Sequence, residues 1–132
     1  MNVKLEVDTA SFSRLTAKLH RKKDFAIYAG KTAVRETAEE IFSQSQIRIP
    51  RKTGALAASG KVVHQDNAQT AISVIGYGDS STNPITGVTT ATYAVAKHED
   101  PRNGKWLENA VLDCSELYHT NLQDKISRAL AQ

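Results

Sequence analysis

The feature that most constrains this chain is a proline near its middle. Pro50 sits between a long helical pattern and two strand-like runs, inside the stretch IPRKTGALAASGKV, residues 49–62. Proline has no N–H to donate and holds the residue before it, Ile49, in extended backbone, so a regular helix cannot run through this point. The chain must turn here, and the residues that follow indicate how. Thr53 offers a hydroxyl to the free N–H groups of a short turn over residues 54–58. Leu56 is the one large apolar side chain in that turn, and Ser59 and Gly60 lead out into a strand.

Upstream of Pro50, Ile27, Val34, Ala38, Ile41 and Phe42 recur at helical spacing. With Asp24 as its cap, this pattern predicts the longest helix of the first half, ending near Gln46. Along it, Lys31–Glu36 and Arg35–Glu39 are supportive charge pairs and Lys31–Arg35 a repulsive one. Before it, Phe12, Leu15 and Leu19 share one face of a shorter helix, for which Asp8, Thr9 and Ser11 are cap candidates. Val3, Leu5 and Val7 alternate with Lys4 and Glu6, which predicts a short half-buried strand at the start.

Downstream, residues 61–65 and 70–77 read as a hairpin joined by the polar DNAQ segment. Ile72 and Val74 share one face and Ser73, Ile75 and Tyr77 the other, so both faces have apolar material to cover. A Ser/Thr/Gly/Pro-rich connection follows over residues 79–92, long for a compact domain and therefore expected to be a mobile or functional loop, with a hairpin around Thr86-Gly87. YAVAKHE, residues 93–99, fits either a strand or a helical turn. DPRNG is a turn. From Lys105 onward a stripe of Leu107, Ala110, Val111, Cys114 and Tyr118, continued by Leu122, Ile126, Ala129 and Leu130, predicts one long C-terminal helix or two abutting ones. The order of elements predicts a single α+β domain over residues 1–132, with helices against a small antiparallel sheet.

Composition narrows the function classes. A chain of 132 residues with one cysteine has no intrachain disulfide and is long enough for a core of its own. No apolar run suits a leader or a membrane anchor, so a soluble chain without membrane association is expected. The net charge of +3 is concentrated in residues 14–23 and in Arg48, Arg51 and Lys52. Such clusters are more often the solvated side of a helix than a nucleic-acid footprint.

The sequence supplies little convergent chemistry. Lys52-Thr53 lacks the glycine frame of a phosphate-binding loop. His98, Glu99 and Asp100 are neighbours in sequence, a poor arrangement for a metal, and read better as capping and ion-pairing groups beside the DPRNG turn. His20, His64 and His119 are scattered. Cys114 lies on an apolar stripe, where a thiol acts as a small hydrophobe. Trp106 reads as a core anchor, with an interface anchor as the alternative.

Pro50, Thr53, Gly54, Leu56 and Ser59, spaced P-x-x-T-G-x-L-x-x-S after a long helix, resemble the hallmark of small structural proteins of tailed phages: neck, tail-completion or head–tail joining proteins, often labelled minor capsid or tail component. The hairpin ISVIGYG, then Tyr93, Ala94, His98 and Glu99, then Trp106, Leu107 and Ala110, follow in the order that family has, over residues 25–118. Lys52 stands where an acidic residue is usual, and Asp100-Pro101 where a glycine often follows the His-Glu pair. The resemblance implies no catalysis and no cofactor. It implies a ring oligomer in the virion, made in the bacterial host cytoplasm, with portal, adaptor or tail proteins as partners. It also implies loops that lock neighbouring subunits. Here the candidate is the segment with Asp79, Ser81, Thr82, Asn83, Pro84, Ile85, Thr86, Gly87, Val88 and Thr89. In such a ring Arg48, Arg51 and Lys52 either face lumenal DNA or meet acidic partner surfaces. The competing expectation is a small basic nucleic-acid-binding or ribonuclease-like protein that uses those cations and a histidine.

Overall fold

The structure, a computed structural model, describes residues 3–4, 9–68 and 70–131, without the side chains of Thr9, Ser11 and Phe12. Helix α1 spans Thr9–Arg48, followed by the short α2 (Ala55–Ala58), strands β1 (Lys61–Asp66) and β2 (Ala71–Gly76), helix α3 (Thr90–His98) and helix α4 (Trp106–Ala131). The fold is α+β: a two-stranded antiparallel sheet with two long helices packed together.

The first half departs from its pattern. One 40-residue helix replaces the expected short and long pair, and Asp24 lies inside it instead of capping it. The intervening basic run consists largely of Leu, Ala, Lys and Arg, all strong helix formers, and holds no proline or glycine to interrupt it. Of the expected first strand, Val3 and Lys4 carry no secondary structure, and residues 5–8 lie outside the described residues.

Helices α1 and α4 run antiparallel. Lys22 Nζ donates to the Leu130 carbonyl at one end, Glu36 meets Asn121 and Lys125 in the middle, and Arg48 pairs with Asp113 at the other. Ala33 and Ala38 of α1 and Ala110, Cys114 and Ala129 of α4 are all buried. Small side chains of this kind let two helices approach closely.

The hairpin lies on the C-terminal half of α1. Its register pairs Val62 with Ile75 and Val63 with Val74. Directly paired residues share a face, so Val62, His64, Ser73 and Ile75 turn toward α1 and are partly covered, whereas Val63, Ile72 and Val74 on the outer face are 43–49 % exposed. Lys31, Arg35 and Glu39 of α1 reach out to neighbouring segments. Arg35 binds Asp66, Lys31 donates to the Asn67 carbonyl, and Glu39 lies 3.0 Å from His64 Nε2. His64 Nδ1 in turn meets Ser73 Oγ at 2.7 Å, which ties both strands to the helix.

The core gathers where α1 ends. Ile49, Leu56, Ala57, Ala94 and Trp106 are buried together, with Tyr77, Tyr93 and Leu107 packed against them. Tyr77 stacks on Phe42 at 5.9 Å and meets Trp106 edge-on at 4.6 Å. Burial raises the Tyr77 phenol above its ordinary pKa, so it remains a donor. Ser45 Oγ gives its proton to the Phe42 carbonyl, and Tyr77 Oη therefore donates to Ser45.

Gly60 passes close under this stack. A Cβ there would lie 2.5 Å from Tyr77 Cε1 and 2.9 Å from Phe42 Cε2, whereas one on Gly76 would meet nothing within 4 Å. Gly60→Ala is expected to lower stability by about 1–3 kcal/mol through overpacking, with Gly76→Ala as the milder comparison. Thermal or urea unfolding of the two variants measures the difference.

Candidate assembly site

The motif residues form one corner. Ile49 makes the last helical bond of α1, to the Ser45 carbonyl at 2.9 Å. Pro50 has no N–H for the Gln46 carbonyl, and the Arg51 guanidinium donates to it instead at 2.7 Å, with a second bond of 2.8 Å to Gln46 Oε1. Gln46 Nε2 reaches the Ala57 carbonyl at 2.9 Å, joining α1 to α2. Thr53 Oγ1 accepts from the Ala55 N–H at 3.3 Å, so it sits one residue before the cap position. That position belongs to Gly54, whose left-handed backbone, φ 80°, suits a residue without a Cβ. The Thr-Gly pair thus shapes the turn that delivers Leu56 to the core.

Ser59 secures the far end of the turn. Its buried hydroxyl donates to the Leu56 carbonyl at 2.6 Å and accepts from the Gly78 N–H at 2.8 Å, linking α2 to the chain after β2. From there Asp79 is held by α3. Its N–H donates to Thr90 Oγ1 at 2.8 Å, and Thr90 is fully buried. The Ser81 backbone N–H donates to the Asp79 carboxylate at 2.7 Å. Hydrogen bonds from Ser81, with Thr90 as a smaller contributor, hold the Asp79 carboxyl below its ordinary pKa.

The Ser/Thr-rich segment is built and does not run as an open coil. Thr82 bridges Thr89, Asn83 N–H donates to the Val88 carbonyl at 2.8 Å, and Gly87 N–H returns to the Asn83 carbonyl at 2.8 Å. This is the small hairpin expected around Thr86-Gly87, with Pro84 and Ile85 in its tip. Residues 90–92, counted with the loop from sequence, are the first turn of α3. Thr and Ser are common in loops and at helix starts alike, so composition did not separate the two. Between the hairpin and the Pro50 corner lies a cavity of about 330 Å³, lined by Lys52, Leu56, Val88, Tyr93 and Lys97 among others.

Tyr93 and Ala94 lie on α3, which carries the segment as a helix as far as His98, with Glu99 as its C-cap. His98 Nε2 accepts from the Glu108 N–H at the start of α4, at 3.3 Å. That leaves Nδ1 to carry the proton and donate to Glu99 Oε1 at 3.0 Å. Lys105 binds both Glu99 oxygens, and these contacts, Lys105 before His98, lower the Glu99 pKa. His98 also meets Trp106 edge-on at 5.1 Å. The His-Glu pair therefore caps α4 and steadies the DPRNG turn.

Trp106 is 3 % exposed and belongs to the core, beside the partly buried Leu107. Cys114 is buried in the α1–α4 seam, and burial, then the Glu40 charge, pushes its thiol up. The three corner cations diverge: Arg48 pairs with Asp113, Arg51 closes α1, and Lys52 borders the cavity. Among the described residues no helix is long and apolar enough to cross a membrane, and no three His, Cys, Asp or Glu residues gather as metal ligands. Sequence reasoning missed Ser45, Gln46, Tyr77 and Thr90, polar or amphipathic residues whose partners lie on other elements. Comparison with family models, curated proteins and solved structures finds no match.

Ser59→Ala leaves the Gly78 N–H and the Leu56 carbonyl without this partner and is expected to cost about 1–3 kcal/mol, measurable by urea denaturation. The folded Asp79 carboxyl is the stronger acid, so its contribution is complete above the ordinary aspartate range, about pH 4. It is lost as pH falls through the lowered folded value. Acid titration followed by amide exchange at residues 90–94 should show loosening only in that range, and Asp79→Asn should remove that component.

Proposed function

We propose that this chain is a non-catalytic structural protein of a tailed-phage virion, acting at the neck by joining head to tail or completing the tail as a ring. The observation that carries the reading is convergence. The family-like residues are spread over residues 50–107, yet Leu56, Ala94 and Trp106 share one core cluster, with Tyr93 and Leu107 against it. Thr53, Gly54 and Ser59 shape the turn above it, and His98 and Glu99 cap the helix that Trp106 opens. The motif order thus has one structural meaning, a corner from which the small hairpin projects.

Surface chemistry supports assembly. Ile85 at the hairpin tip is 70 % exposed, and Val63, Ile72 and Val74 form an uncovered apolar face on the sheet. Contiguous apolar surface of this kind marks interaction sites. Partners are neighbouring copies and portal, adaptor or tail proteins. Lys52 and Lys97, around the cavity beneath the hairpin, suit an acidic partner segment. Lumenal DNA is the other partner the basic corner suits.

Electron microscopy of particles lacking this gene tests the role. DNA-filled heads and separate tails, rescued by supplying the protein, are expected; abnormally long unjoined tails would assign it to tail termination. Normal infectious virions would overturn the neck role, and steeply salt-dependent nucleic-acid binding would then favour the nucleic-acid-binding alternative. Ile85→Asp is expected to change stability by no more than about 0.5 kcal/mol and to prevent rescue. Full rescue by that variant would remove the hairpin from the interface.

A further inference from the structure

We propose that residues 3–7 of one copy add as a third strand to the free edge of β2 in a second copy, filling the groove between β2 and α4. The inference rests on the self-assembly reading above and names the contact between neighbours.

The groove comes first. Among the described residues β1 and β2 pair only with each other, so the other edge of β2 presents backbone groups with no described strand beside them. Such an edge is a template for another strand. Next to it the structure leaves an open groove of about 470 Å³, floored by Val34 and Ala38 of α1 and walled by Ile75 of β2 and Val111 and Cys114 of α4. Thr37, also lining it, is 6 % exposed and its hydroxyl has no hydrogen-bond partner.

The occupant is identified by pattern and reach. Val3, Leu5 and Val7 alternate with Lys4 and Glu6, so an extended segment would turn three apolar side chains to the groove and two charges to solvent. Five residues extend about 17 Å, the scale of the six-residue β2.

The segment cannot serve its own chain. From Thr9 to Val34, α1 covers about 38 Å at 1.5 Å per residue, whereas the six steps from Val3 to Thr9 stretch to about 20 Å. The start of α1 already extends past α4, because Lys22 lies level with Leu130. On that overhang Leu15 and Leu19 are 53 % and 58 % exposed. A second copy accounts for both features: the overhang carries the segment to the neighbour and has its own apolar face covered there. A contact in which one patch meets a different patch is heterologous, the kind that generates a ring where the rotation between copies closes.

The test uses two full-length variants, Leu5→Cys and Val111→Cys, each with Cys114→Ala, mixed and treated with a short bismaleimide. A heterodimeric product containing one chain of each is expected. A variant lacking residues 1–8 should keep its unfolding midpoint yet lose self-association, and a peptide of residues 1–8 should bind it saturably. Self-association undiminished by the deletion, or a self-associating mixture that yields no heterodimeric product, overturns the proposal. The neck role is judged separately: particles that need this protein but not residues 1–8 defeat only the strand exchange. Normal virions without the gene, alongside the heterodimeric product, defeat only the neck role.

Discussion

The edge-on contact between Tyr77 and Trp106, 4.6 Å between ring centres, holds together elements that have little else in common. Tyr77 belongs to the chain leaving β2, Trp106 opens α4, and Phe42 on α1 completes the stack. Large aromatic rings contribute most of the area in a core this small, and their edge-to-face geometry fixes relative orientation as well as distance. The Tyr77–Ser45 bond then sets the sheet's position along α1. Away from this corner the buried apolar residues of the α1–α4 seam are alanines and one cysteine, which allow closeness, while the polar contacts along its length set the alignment.

The family-like residues cluster around this contact because they solve one geometric problem. A helix must stop, the chain must reverse into a strand, and two later helices must be received at the same place. Arg51 takes the carbonyl that Pro50 leaves behind, Gly54 supplies the left-handed turn, and Ser59 joins that turn to the exit from β2. His98 takes an N–H at the start of α4. None of these contacts requires a ligand. The surfaces left over, the hairpin tip, the outer sheet face and the overhanging start of α1, keep large apolar side chains exposed. This division between a braced corner and uncovered faces is the basis of the proposed assembly role.

The sequence was most legible where a local rule acted alone. Pro50 ended α1, the alternation of residues 61–65 and 70–77 gave the hairpin, and the apolar stripe after Lys105 gave α4, a single helix. Reading failed where local signals were ambiguous. Asp24 is a good cap residue, but without a breaker nearby the helix formers around it carried α1 straight through. Thr90 to Thr92 have loop composition and a helical conformation, decided by burial of Thr90 against Asp79. The charge pairs expected along α1 went to other elements, because long side chains take the partners that packing brings within reach.

The sequence by itself determined the periods of the elements, the breaks between them and the small-residue turn at residues 53–60, since these follow from backbone sterics and side-chain spacing within a few residues. Only the tertiary structure decided that Ser59 would bind Gly78, that Tyr77 would lie between Phe42 and Trp106, and that a groove would stay open between β2 and α4. Those outcomes depend on which distant surfaces meet. That is settled by packing all the apolar faces together, and the segments that take part carry no local record of it.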